Sequence, residues 1–398
     1  MGWPEHEIVE RPWRQRSRGG TREDRMLTSI RTSVPPSIAR LDYSTPPAAA
    51  AQAEAALVEV LRADDAAEGH SAAMSRFLLR SESVASSKIE HIWAGAEDYA
   101  RAVAGSRANA SATSMVAATE AMRSLVERVG EGGFSVDAIL ESHVRLMRDD
   151  PQEARFAGRI RDMQNWIGGS DFSPRGALHV PPPPELVPAL LGDLVDYLQR
   201  DDIPVVTQAA IGHAQFESIH PFTDGNGRIG RAIVAASFRR RGITRNTVVP
   251  LASGILARRD AYFDALTGYR SGDPAPIIAL FARSAHVGAV EVRTTIGRIA
   301  GMPAGWRAQA LARAGSTRAR LIDAFYDHPT LSATEVASLS GAGTSQTAVA
   351  LRALEDAEVI REITGRTRDR AWIAIDLVAE LDDLDTRIQA TMRDADAR

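Results

Sequence analysis

The twelve residues His220 to Arg231, reading HPFTDGNGRIGR, restrict the fold of this 398-residue chain more tightly than any other stretch. The pattern predicts helix on both sides. Val205 to Ser218 leads in, and Ile229 to Arg241 leads out with Ile229, Ala232, Ile233 and Ala236 as an apolar stripe at i, i+3, i+4, i+7. The chain must therefore turn within a short loop that opens onto a helix N-terminus. There the N–H groups of Gly225, Asn226 and Gly227 lack helical partners, and with the helix dipole they suit a phosphate group. Glycine lets the backbone approach an anion where a Cβ would block it.

Arg228 and Arg231 stand three apart on the outgoing helix, so they share a face from which guanidinium forks can grip further phosphate oxygens. Asp224 is the only carboxylate in the loop. An acid beside phosphate-binding groups would repel the ligand, which implies a bridging divalent cation, Mg²⁺. His220, with a ring that titrates near neutral pH, is the candidate base for an attacking hydroxyl. Gly225, Gly227 and Gly230 also spell GxGxxG, but a dinucleotide fingerprint needs a strand just upstream, and the helix ending in His220-Pro221 denies that context.

The stretch resembles the signature of the Fic family: His, any residue, Phe, any, Asp or Glu, Gly, Asn, Gly, Arg, two residues, Arg, with every specified position matched. The resemblance implies a mainly α, Fic-like helical fold and transfer of AMP from ATP to a Ser, Thr or Tyr hydroxyl of a protein. In that scheme His220 accepts the hydroxyl proton, Asp224 holds Mg²⁺, and the Gly225 to Gly227 amides stabilise charge on the α-phosphate. Arg228 and Arg231 bind the β and γ phosphates. Relatives that remove AMP, or that move another phosphate-bearing group, leave those readings as alternatives.

Two further segments take meaning from the resemblance. Ser86 and Glu90 share a helix face, and residues 86 to 91 resemble the family's inhibitory helix, with His91 where Gly or Asn is usual. By that resemblance Glu90 pairs with Arg231 and takes the place of the γ-phosphate. Residues 158 to 180 read as a β-hairpin ended by prolines. In the family this flap docks a target segment as an added strand. His213, seven residues before His220, reads as a packed core histidine.

A formal charge of -4 argues against wholesale nucleic-acid binding, and the absence of cysteine excludes disulfides and thiolate metal sites. No apolar run is expected to span a bilayer, so a cytoplasmic protein without membrane contact is expected. Residues 1 to 32, rich in Arg, are expected as a disordered tail, with Met26 an alternative start. A helical region (33–112) precedes the catalytic core (113–300), and 301–316 reads as a linker. Residues 317–380 read as a winged helix-turn-helix, and 381–398 as a terminal helix or tail. That domain makes DNA or protein docking, including a homodimer, the partner expectation, and a nucleotide-sensing DNA-binding regulator the second class of function.

Overall fold

Helices dominate the computed structural model, which describes residues 2–15, 19–105 and 109–394, with the backbone alone for 70–72. In chain order the elements are β1 (Glu7–Pro12), α1 (Arg22–Met26), β2 (Ser29–Val34), α2 (Pro47–Ala66), α3 (Ser71–Ile89), α4 (Ala96–Val103), α5 (Ala110–Gly132), α6 (Val136–Met147), α7 (Val187–Leu198), α8 (Val205–Ile219) and α9 (Asn226–Arg240). There follow α10 (Leu251–Ala257), α11 (Arg259–Arg270), α12 (Ala275–Ala300), α13 (Met302–Gln309), α14 (Thr317–Asp327), β3 (Thr330–Ser332), α15 (Ala333–Ser340), α16 (Thr344–Asp356), β4 (Ile360–Glu362), β5 (Ala371–Ala374) and α17 (Ile375–Asp394).

The chain divides into two compact units, each discontinuous in sequence. The first contains residues 1–54, 120–242 and 259–283, and α8 is its axis. All fifteen residues of α8 are buried. A helix buried on every side, with Gln208, His213, Gln215 and Glu217 among its buried residues, lies at the centre of a core, flanked here by α7 and α9. Gly230 sets how closely α9 approaches, because a Cβ there would lie 2.7 Å from Glu217 Oε1 and 3.1 Å from His213 Nδ1. His213 is a core histidine, its Nε2 2.9 Å from the Tyr262 hydroxyl.

The expected disordered tail is, over its described residues, ordered. β1 and β2 form an antiparallel pair with Glu7 opposite Val34 and Pro12 opposite Ser29. Between them Thr21 and Asp24 form a capping box that starts α1. The alternation of the strands is short and polar, which hides it among arginines; pairing with a distant partner supplies what local pattern does not. Residues 1, 16–18 and 395–398 of the two expected tails lie outside the described residues.

The second unit contains residues 55–119, 243–258 and 284–398. Half of the expected linker is helix: Pro303 occupies the first turn of α13, where its missing N–H costs nothing, and Trp306 is buried with its Nε1 donating to Asp376. The helical stretch Ala275–Gln309, α12 with α13, is long and apolar enough to cross a membrane, contrary to expectation, yet 56% of its apolar window is buried inside the chain, as in a core helix. Towards the C-terminus α14, α15 and α16 pack around Ile322, Phe325, Val336 and Leu354, against a three-stranded sheet of order β3-β5-β4. Arg320 closes this group by donating to the Ser340 carbonyl at the end of α15.

Candidate active site

α8 stops because Pro221 cannot extend it. His220 caps the helix at φ 50°, ψ 62°, a left-handed conformation that non-glycine residues adopt at a cost. Something must therefore hold it there. Arg161, buried, donates from Nε to the His220 carbonyl (2.8 Å) and from Nη2 to the carbonyls of Pro182 (2.6 Å) and Ile219 (3.3 Å). Its burial pulls the guanidinium pKa down to about 10, so it stays charged at neutral pH. One cation thus satisfies the last carbonyls of α8 and opposes the negative end of its dipole.

The His220 ring is approached by two amides, Asn165 Nδ2 at 3.0 Å and Asn226 Nδ2 at 3.2 Å from Nδ1. The sequence pattern gives Asn226 to phosphate through its main chain. Its side chain does something else, since Oδ1 accepts from the Phe222 N–H and Nδ2 donates to the Phe222 carbonyl, both at 2.9 Å, which locks the loop into a closed turn. Asn165 Nδ2 also reaches the Phe222 carbonyl, while its buried Oδ1 has no hydrogen-bond partner among the described residues. With Nδ1 accepting from an amide, the neutral ring carries its proton on Nε2. Turning the Asn165 amide over would present Oδ1 to an Nδ1–H and leave Nε2 as the basic atom.

His143 supports the loop from α6. Its ring stacks on Phe222 with centroids 3.8 Å apart and planes 3° apart. Nδ1 accepts from the Gly158 N–H at 2.9 Å, so Nε2 carries the proton and donates to the Asp224 carbonyl at 3.1 Å. Burial, and then the Arg228 charge, lowers its pKa to about 4, which keeps it neutral. Sequence reasoning misses His143, Arg161 and Asn165 alike. None stands in a motif, because their partners lie 55 or more residues away or are main-chain atoms.

The loop then enters α9. Gly225 is its N-cap at φ 78°, and a Cβ there would fall 2.5 Å from Met147 Cε and 2.7 Å from Leu146 Cδ2. Its N–H is taken by Asp224 Oδ1 at 2.6 Å, so a phosphate would have to displace that carboxylate or use the amides that follow it. Asp224 is otherwise 57% exposed, with Oδ2 3.5 Å from Arg228 Nη2. Asn226, Gly227, Arg228 and Arg231 are buried on the first turns of α9, and Arg231 is only 1% exposed. Among the described residues no cluster of three or more His, Asp or Glu could hold a metal. A lone exposed carboxylate fits an Mg²⁺ whose remaining ligands are phosphate oxygens and water.

The expected hairpin over 158–180 is reduced to one antiparallel bridge, Ile167 with His179. Gly168 and Gly169, both at positive φ, turn the chain out of strand geometry at once, and Pro181 to Pro184 offer no N–H for a ladder. In the second unit, Ser86 is buried on α3 and Glu90 is the exposed residue at its end. The helix closes there by His91 N–H to Lys88 (3.0 Å) and Ile92 N–H to Ser87 (3.1 Å), with His91 at φ 59°. His91 thus adopts the left-handed cap for which Gly or Asn is preferred.

Residues 133–237 match the family model described as Fic/DOC. "Protein adenylyltransferase fic-1" of Caenorhabditis elegans is 34% identical over 154 residues, 38% of this chain and 27% of that protein. "Probable protein adenylyltransferase aq_aa38" of Aquifex aeolicus (strain VF5) is 44% identical over 75 residues, 19% of this chain and 23% of that one. The chain thus spans about a quarter of the length of these curated relatives. The crystal structure of a Fic family protein from Desulfovibrio desulfuricans G20 has the same fold, with a TM-score of 0.53 at 21% identity over 83% of this chain and 97% of that chain.

Proposed function

Taking residues 133–237 as a Fic/DOC domain, we propose that this chain transfers AMP from ATP to a Ser, Thr or Tyr hydroxyl of a protein. The observation that carries the reading is the placement of His220 at the mouth of a loop whose far end is the glycine-capped N-terminus of α9, with Arg228 and Arg231 on its first turns. The target hydroxyl oxygen attacks the α-phosphorus. With the Asn165 amide turned so that Nδ1 of His220 carries the ring proton, the hydroxyl proton passes to His220 Nε2, the new P–O bond forms, and the bond to the β-phosphate oxygen breaks with its electron pair leaving on pyrophosphate. The amides at the start of α9 face the charge that develops on the α-phosphate, and the two arginines hold the leaving group. Asp224 would hold Mg²⁺, which supplies neutralisation of phosphate charge when bound.

The target segment would lie along the Ile167–His179 edge, recognised mainly through its backbone. Glu90 acts as a brake, by the resemblance of residues 86–91 to an inhibitory helix. An anion competing with the γ-phosphate for one guanidinium misaligns the α-phosphate without excluding ATP. The reducing interior of a cell suits a chain without cysteine.

One experiment tests both levels: incubation of the parent, His220→Ala and Glu90→Gly with ATP and Mg²⁺, read by mass spectrometry for a gain of AMP on the chain and in a lysate. His220→Ala loses ~10² to 10⁴ in rate while calorimetry still detects ATP, because general-base loss leaves phosphate contacts intact. Glu90→Gly gains transfer. Transfer by His220→Ala at the parent rate would sink the assignment of the base, and an unaltered Glu90→Gly variant would sink the brake alone.

A further inference from the structure

The second unit carries an unoccupied face that adenylyl transfer does not use. The sequence α14, β3, α15, α16, β4, β5, with sheet order β3-β5-β4, presents α16 after a tight turn at Gly341, whose φ is 59°. α16 buries Thr347, Ala350, Leu351 and Leu354 against its neighbours. Its opposite stripe, Ser345, Ala348, Val349 and Arg352, is exposed at i, i+3, i+4, i+7. Val349 is 67% exposed in the middle of that stripe. Val349 is the one large apolar side chain of a stripe otherwise made by Ser345, Ala348 and Arg352, with Gln346 exposed beside it.

Charge decides what it contacts. From Thr344 to Leu351 the helix has no acid, and its dipole adds positive potential at that end. The β4–β5 turn carries Arg366 and Arg368, both exposed. Among the described residues neither these nor Arg352 makes an ion pair. Asp369 is an exposed acid of that turn, set against Arg366, Arg368 and Arg370; the other acids of the region are engaged in local structure or stand at the far end. Glu355 accepts from Trp372 Nε1 (2.7 Å) and Arg370 (3.4 Å), Glu362 accepts from the Thr364 and Gly365 N–H groups, and Glu335 belongs to the capping box of α15. Asp356 lies about 18 Å along the helix axis from its start, and Glu358 follows the helix end. A positive, acid-free helix end beside a basic turn complements a polyanion with a groove as wide as a helix.

We infer that the exposed face of α16 and the arginines of the β4–β5 turn bind double-stranded DNA, with α16 entering the major groove and Arg366 and Arg368 on the flanking phosphates. Ser345, Gln346 and Arg352 supply hydrogen bonds to base edges, and Val349 an apolar contact of the kind a thymine methyl accepts. The arginines supply affinity and its salt dependence.

Fluorescence anisotropy of a labelled 30-base-pair mixed-sequence duplex with the full chain tests this. Binding is expected in the micromolar range at 50 mM salt. With about three phosphates neutralised, affinity falls roughly 40-fold between 50 and 200 mM. Arg366→Ala with Arg368→Ala reduces the log–log salt slope by about 2. Val349→Glu, at a position too exposed to endanger folding, weakens binding at least tenfold. Circular dichroism and adenylyl transfer remain at parent levels in both variants. The inference is overturned by an absence of binding at 50 mM salt, or by variants that bind like the parent. It is overturned equally if sedimentation shows the face joining two copies of the chain, with Val349→Glu separating them and duplex DNA ignored.

Discussion

Two helices of this chain end on a histidine in the left-handed region, α8 at His220 (φ 50°) and α3 at His91 (φ 59°), and the two ends are held by different physics. At His91 the closure is local. Two main-chain bonds to Ser87 and Lys88 complete it, and the side chain stands exposed. At His220 the closure is tertiary: Arg161 holds the carbonyl, Asn165 and Asn226 reach the ring, and His143 braces the loop beyond. The same backbone device therefore closes through main-chain bonds of its own helix end in one place and is enforced by several distant groups in the other. Strain that several distant groups enforce marks a position whose side-chain direction matters.

Replacing Gly225 by Ala attacks the enforced end most severely. A side chain at φ 78° is strained, and its Cβ meets Met147 and Leu146, so stability falls by about 3–4 kcal/mol in urea denaturation. A loss below 1 kcal/mol would show that the loop yields where it is argued to be rigid.

Acid reaches the same brace through His143. Its pKa is lowered from 6.5 to about 4, so the unfolded chain binds more protons between those values. The stability contributed by the neutral ring is complete above pH 6.5 and declines as pH falls through 6.5 to 4. Its total is on the order of 3 kcal/mol. Denaturation midpoints measured from pH 7 to 4.5 follow that slope, and His143→Gln flattens it; identical slopes would remove His143 as its source.

Asn165→Ala tests the ring contact more gently. Loss of one partner at His220 Nδ1 lowers kcat about tenfold, with KM for ATP little changed, since the amide touches no phosphate group. An effect confined to KM would place Asn165 elsewhere in the reaction. The smallest change is expected at the other histidine. His91→Gly relieves a left-handed side chain and raises stability by about 0.5–1 kcal/mol, seen as a higher Tm. Destabilisation instead would mean that the His91 side chain is held by more than its own helix end.

The two ends also explain what can be read in advance. The helices flanking His220 and the loop between them are legible because proline, glycine and a 3.6-residue stripe act locally. Of the expected site residues, His220, Asp224, Gly225, Asn226, Gly227, Arg228 and Arg231 come together because they are contiguous on one helix–loop–helix. The braces His143, Arg161 and Asn165 carry no signal, since a histidine on a helix or an arginine before a turn is ordinary until its partner arrives. The paired strands at the N-terminus are hidden for the same reason, as is α13, whose Trp306 finds Asp376 only in the folded chain.

By itself, then, the sequence determined the helical framework, the phosphate-facing loop and the chemical types that line it, because those follow from backbone dihedrals and short-range periodicity. Tertiary structure alone decided that the Asn226 side chain locks the loop, that Gly225 gives its N–H to Asp224, and that residues 158–180 keep a single bridge. Those contacts are short in sequence, but which of the competing donors and acceptors pair there is settled by the packing and desolvation that the rest of the fold imposes on the loop.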